Sequence, residues 1–429
     1  MIAIKLNLLY SSINYKNSND SKTKAMEKTN LFQQALEQGK GIFRLAPNWV
    51  PRSFCVPGRR IKLHPDDYYI LGGVRGGIDE RWFSSTTPAK NGPLTGEHEG
   101  LSFIVFKNGD KEELLLLKDA VDDLKDELIG DRIWNEYQSW PMYSKFFDNM
   151  GPLPHHIHHN DEKAALIGQK GKPEAYYFPP QVNNHGGDFP YTFFGIAPGT
   201  TKEQIRECLV NFTKGDNKIT NYSQAFRLEP GTGWDVPPGM LHAPGSMCTY
   251  EPQKASDVFA MYQSLVNEAI IPEELLWQGV PENEKGNYDA LMDIIDWDLN
   301  TNPNILETRF MAPKPVKAVE EMEAEGYSEK WVCYLSDAFS AKELTVLPGA
   351  SVTIKDSAAY GLIMMQGHGT MGVWDIETPA LIRYGQLTND EFFVSEDAAK
   401  EGVKITNKSS TDPIVMLKHF GPGNPDLKL

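Results

Sequence analysis

Four histidines fall within five residues, His155, His156, His158 and His159, in the run Pro-Leu-Pro-His-His-Ile-His-His-Asn-Asp-Glu. If the run is extended, His156 and His158 project from one face and His155 and His159 from the other. Imidazoles at i and i+2 reach a similar distance from the same face and can bind one metal ion together. A histidine-rich surface turn is the other reading. Two more features weigh toward chemistry. The run Gly171-Lys172-Pro173-Glu174 sets a carboxylate at the start of an aromatic strand, and Pro237-Pro238-Gly239-Met240-Leu241-His242 sets a lone histidine after a Pro-Gly turn. Each of these alone has a bland reading, a solvated strand end or a packed histidine. Jointly, three neutral imidazoles (His156, His158, His242) and Glu174 would hold a divalent transition ion and leave positions open to substrate oxygens. Glu162, four residues after His158, is a rival carboxylate, but it falls on a short helix where it reads as a solvated or capping group. Lys172 shares a strand face with Glu174 and can hold a substrate oxygen or share in proton transfer, against the reading of a plain surface lysine.

Residues so far apart in the chain need a scaffold that folds them together. From Gly41 onward short apolar runs (68–71, 101–106, 113–117) alternate with Pro-Gly, Gly-Gly and Asn-Gly punctuation, the pattern of short strands and tight turns. The 36 glycines and 29 prolines fit such a fold. Helical spacing predicts short helices over 29–38, 119–129 (stopped by Gly130), 161–169 (behind an Asn160 cap) and 201–210. The stretch 273–300 reads as helical and charged, and strands resume from Trp331. Too few helices intervene for a parallel α/β sheet. The expectation is a mainly β chain of two jelly-roll modules joined by a helical segment. In detail, residues 1–26 form a disordered extension, 27–265 a metal-binding module with helical insertions, 266–325 a helical linker and 326–429 a second module without metal. In that last block Gly367-His368-Gly369 lacks a second histidine two residues on, and His419 stands alone.

A net charge of −16 over 429 residues repels phosphate backbones and anionic membrane surfaces. Nucleic acid and membrane are therefore set aside as partners; no apolar run approaches the ~20 residues of a membrane helix. The four cysteines show no CxxC spacing and read as reduced thiols, which points to the cytoplasm. The glycine-rich run 72–77 lacks the GK[ST] of a phosphate loop. His64-Pro65-Asp66-Asp67 reads as a turn, and His185 as a histidine of a polar loop.

The order HxH, Glu, then a distant His after a Pro-Gly turn is that of a cupin metal centre. The stretch from His156 to Phe178 resembles the metal-binding region of the type I phosphomannose isomerases, with Lys172-Pro173-Glu174 ahead of an aromatic strand. Pro237-Pro238-Gly239-Met240-Leu241-His242-Ala243 resembles the family's Pro-x-Gly-x-x-His-Ala. Asp79-Glu80-Arg81-Trp82-Phe83-Ser84-Ser85 and Glu99-Gly100-Leu101-Ser102 look like its early strand motifs, so the likeness spans residues 58 to 263. The resemblance implies His156, His158, Glu174 and His242 as zinc ligands with Lys172 near the substrate. It departs from the family pattern at His156, where the family has Gln, and at His159, where Pro is usual. The family's arginine motif has no counterpart; Arg309, in Glu307-Thr308-Arg309-Phe310, is the nearest candidate for that catalytic role. The expected activity is aldose–ketose isomerisation of a sugar or sugar phosphate by a monomer or homodimer. The alternatives are an Fe²⁺- or Mn²⁺-dependent cupin dioxygenase and a non-catalytic sugar-binding cupin.

Overall fold

The computed structural model of the chain describes residues 21–184, 187 and 189–428. The expected disordered extension lies outside the described residues as far as Asp20; from there a helix, Ser21–Gln38, begins earlier than the predicted Thr29. Lys, Ala, Met and Glu dominate its first half, and no Gly or Pro interrupts them.

Two antiparallel sandwiches follow. In the first, a five-stranded sheet runs Ser223–Arg227, Tyr191–Ile196, His242–Ala243, His156–Ile157, Ala260–Met261. It faces a seven-stranded sheet ordered Phe310–Met311, Gly233–Val236, Glu174–Tyr177, Thr249–Lys254, Met142–Phe147, Gly77–Phe83, Asn48–Arg52. The second sandwich pairs a seven-stranded sheet, containing Glu391–Val394, Tyr360–Gln366, Ile414–Phe420, Ser340–Val346 and Tyr327–Cys333, with a four-stranded one. The fold is mainly β, as expected.

Two helices begin where their caps put them, the first of them ending at Ala165 and not 169, and a third is split. Asn160 Oδ1 accepts from Lys163 N at 2.8 Å to open Asp161–Ala165. Thr201 and Gln204 form a reciprocal cap on Lys202–Val210. The 119–129 helix is broken at Lys125, whose φ of 53° ends Leu117–Leu124 before Asp126–Ile129 begins.

The 266–325 stretch is less a bridge than a backing. Its short helices Glu274–Trp277 and Tyr288–Met292 bury Leu276, Trp277 and Leu291 in a core shared with Ile157 and Ile196 of the five-stranded sheet. The crossing itself is brief. Phe310–Met311 pairs with Gly233–Trp234 in the first sandwich, and Lys314–Pro315 pairs with Lys330–Trp331 in the second. The strand Ile42–Arg44 also departs from its place in sequence: it pairs with Phe392–Val394, at the edge of the C-terminal sheet.

Along Glu174–Tyr177 successive side chains alternate, so Glu174 and Tyr176 share one face and Ala175 and Tyr177 the other. Tyr177 donates to Glu343 Oε2 at 2.8 Å, and Tyr250 meets His419 Nδ1 at 3.0 Å, contacts from the first sandwich to the second. One continuous core therefore joins the two seven-stranded sheets, including Tyr177, Tyr250, Trp331, Leu344 and Phe420. The opposite face of the first sheet is left to form the wall of a cavity.

Candidate metal centre

His156 and His242 are register partners on neighbouring strands of the five-stranded sheet, with ring centroids 4.2 Å apart. His158 follows two residues later, its ring 5.0 Å from His156 and 5.1 Å from His242. Glu174 reaches them from the facing sheet. One ligand atom from each of the four lies within 4.8 Å of the others, and all four residues are buried. The approach to His242 is held by its turn. Gly239, at φ 82°, donates its N–H to the His158 carbonyl at 2.8 Å, a conformation open to glycine without strain. Asn300 then clamps the same turn, donating to Gly239 O at 2.6 Å and accepting from Leu241 N at 2.7 Å.

The hydrogen bonds fix the tautomers. His156 Nδ1 lies 2.8 Å from Pro154 O, His158 Nδ1 2.8 Å from Val258 O, and His242 Nδ1 2.8 Å from Met240 O. A carbonyl only accepts, so each Nδ1 carries a proton, and a neutral ring so held has its Nε2 lone pair free toward the cluster. Yet His158 Nε2 and His242 Nε2 lie 2.9 and 3.1 Å from the oxygens of Glu174, which also only accepts. His242 Nε2 finds no hydrogen-bond partner. Four acceptors aimed at one point fit a divalent cation, which the donor set of three nitrogens and a carboxylate suits.

No protein-family model and no curated protein matches this sequence. Solved structures do. Mannose 6-phosphate isomerase from Bacillus subtilis superposes with a TM-score of 0.57 at 13% identity, over 88% of this chain and 99% of that one. A variant of phosphomannose isomerase from Salmonella typhimurium (TM-score 0.57, 11% identity) and a zinc-bound mannose 6-phosphate isomerase (TM-score 0.57, 11% identity) each match 89% of this chain over 100% of theirs. The chain has the fold of the mannose-6-phosphate isomerases. Spread over nearly the whole of both chains, the match takes in both sandwiches of this phosphomannose isomerase fold and not the metal-site module alone.

Within that fold, burial and neighbouring charge set the electrostatics. Burial, with the Lys172 charge adding to it, outweighs Glu174 and pushes His158 down to about 3; burial and the other two histidines hold His156 well below its ordinary value. Burial alone would raise Glu174, but His158 and Lys172 outweigh it and hold the carboxyl well below the usual range. Neutral rings and an ionised carboxylate are the forms that ligate metals. Tyr176 donates to Glu174 Oε1 at 2.6 Å, and Lys172 Nζ sits 2.8 Å from Oε2, orienting the carboxylate.

The other sequence-level candidates fall elsewhere. Glu162 is exposed on its helix, away from the cluster. His155 packs edge-on to Phe193 at 5.4 Å, and His159 meets Gly279 O at 2.6 Å, on the far side of the strand from the cluster. Arg309 is a departure from expectation. It donates to Asp235 Oδ2 at 2.8 Å, and Asp235 pairs with Ala175 on the face turned away from Glu174. The arginine lines no part of the cavity. His185 lies outside the described residues.

Five charged residues outside the expected site set complete the cavity: Arg52, Glu80, Lys145, Glu251 and Asp257. Glu251 is pushed up to about 8, first by burial and then by the charge of Glu174. Their signal was faint but present. Lys145 in Met142–Phe147 is a charge set among mostly aromatic and apolar strand residues, where a solvated side chain would be out of place.

Proposed function

We propose that the chain is a divalent-metal-dependent aldose–ketose isomerase acting on a sugar, with zinc as its ion. The observation that carries this reading is the convergence of three Nε2 lone pairs and a carboxylate in the wall of a cavity that, counted out to its mouth, measures about 430 Å³. A divalent ion held by His156, His158, Glu174 and His242 would supply Lewis acidity toward a substrate carbonyl, an effect worth roughly several kcal/mol. Moving a proton between adjacent carbons then needs a group that takes it and returns it. Glu251 is placed for that work, its Oε1 3.5 Å from Lys172 Nζ and 3.4 Å from Lys145 Nζ inside the cavity. Lys172 holds Glu174 in line, its Nζ 2.8 Å from Oε2. Arg52, locked between Glu80 and Asp257, gives the wall a fixed shape. Support for an isomerase comes from the phosphomannose isomerase fold; the same ligand set serves a dioxygenase, which would consume O₂ where an isomerase consumes none.

The test combines elemental analysis of the purified protein with a sugar panel followed by deuterium incorporation from solvent and by oxygen uptake. His158→Ala and His242→Ala are expected to lose bound metal and to lower turnover at least about 100-fold. Removing the metal with a chelator should abolish exchange, and zinc should restore it. Full activity in both variants, or oxygen consumption coupled to turnover, overturns the proposal.

A further inference from the structure

Every cation lining the cavity is already committed. Arg52 Nη2 lies 2.9 Å from Asp257 Oδ1, and its Nε 3.1 Å from Glu80 Oε2. Lys145 Nζ lies 3.1 Å from Glu80 and 3.4 Å from Glu251, and Lys172 Nζ 2.8 Å from Glu174 and 3.5 Å from Glu251. Against these three cations stand four carboxylates, all buried.

A second pocket of about 310 Å³ adjoins this one, sharing Phe54, Cys55 and Leu153. A sugar held by its carbonyl end at the cluster therefore has adjoining space for its tail. Val56, Pro152, Val266 and Ala269 line it, together with Asn149 and Asn267. Among the described residues it holds no Lys and no Arg. Asn149 is 3% exposed, and neither its amide nitrogen nor its amide oxygen has a hydrogen-bond partner. A buried amide with one donor group and one acceptor unused is costly unless a ligand meets it, and a hydroxyl group meets both.

A phosphate monoester is recognised by uncommitted Arg or Lys side chains or by a helix N-terminus. Among the described residues neither pocket offers one. We infer that the substrate is a neutral, unphosphorylated sugar, its carbonyl end at the histidine cluster and a hydroxyl of its tail on Asn149. This inference rests on the isomerase reading and narrows it.

The test uses the metal-loaded full chain with mannose and mannose 6-phosphate, and with the fructose pair, followed by deuterium incorporation. It adds calorimetric binding of sorbitol and sorbitol 6-phosphate, which cannot isomerise. Expected is a kcat/KM on the neutral sugar at least about tenfold above that on its phosphate, with no competition by inorganic phosphate. Asn149→Leu should raise KM for the neutral sugar about tenfold while leaving kcat and metal content in place, because only a hydroxyl contact is lost. Preference for the phosphate ester, competition by inorganic phosphate, or an unchanged KM in Asn149→Leu overturns the inference. If neither sugar turns over, the isomerase reading fails, and the polyols still decide the substrate class. Tighter binding of sorbitol sustains it; equal or tighter binding of its phosphate, or binding of neither, refutes it.

Discussion

His419 shows how little a residue's type says about its work. It is as buried as the cluster histidines and, like His158, is pushed down to about 3, in its case by burial alone. Its Nδ1 meets only Tyr250 across the junction of the two sandwiches, and its Nε2 has no partner. Unfolded, it would titrate near its ordinary value of about 6.5. Between about pH 6.5 and 3 the unfolded chain therefore binds a proton that the folded chain refuses. The stability this contributes is fully present above about 6.5 and drains away as pH falls, by about 1.4 kcal/mol per pH unit. Replacing it, as His419→Gln, should remove one proton's worth of that slope. Urea denaturation at steps between pH 6.5 and 4.5 reads the difference, and parallel curves for parent and variant would contradict it. Sequence could single out the HxH pair by spacing, but a lone histidine carries no spacing to read.

Strands and helices differed in how openly the chain announced them. The caps Asn160 and Thr201 act within three residues, through bonds a side chain makes to its own neighbourhood, so those helices were legible. The 273–300 stretch was harder, because its helices are short and owe their place to Leu276, Trp277 and Leu291 packing under a sheet from elsewhere in the chain. Close approach between elements leaves a sharper trace. Gly361, on Tyr360–Gln366, is where the two sandwiches press together: an added Cβ would stand 2.0 Å from His419 Nε2 and 2.2 Å from Ser84 Oγ. Gly361→Ala is expected to cost about 1–3 kcal/mol through overpacking. Gly73→Ala, at a site with nothing within 4 Å and no positive φ, should stay within about 0.5 kcal/mol. Equal denaturation midpoints for the two variants would show that the contact is not what requires glycine at 361.

At the scale of the molecule, the two sandwiches behave as one body because their facing sheets share a core and a buried ionic joint. Arg81, on Gly77–Phe83, makes a paired contact to Asp390 at 2.9 Å for each bond and reaches Glu391 at 3.3 Å. All three are buried. Arg81→Ala strands two carboxylates without their cation and is expected to cost about 3–5 kcal/mol. Calorimetry of the parent should show a single unfolding transition, since no apolar boundary separates the halves. Two resolved transitions in the parent, or an Arg81→Ala variant as stable as the parent, would refute the coupling.

The amino-acid sequence by itself determined the β-rich character, the two blocks and the identity of the four converging side chains. Alternation, turn punctuation and the order HxH, Glu, His are properties of neighbouring residues and of linear order. Only the tertiary structure decided what surrounds them. Arg52, Glu80, Lys145, Glu251 and Asp257 meet in one cavity, Arg309 faces away from it with Asp235, and Ile42–Arg44 joins the distant sheet. Charge pairing inside a barrel depends on distances across sheets, and those are set by register and packing between segments from 28 (Arg52 and Glu80) to 205 residues apart (Arg52 and Asp257).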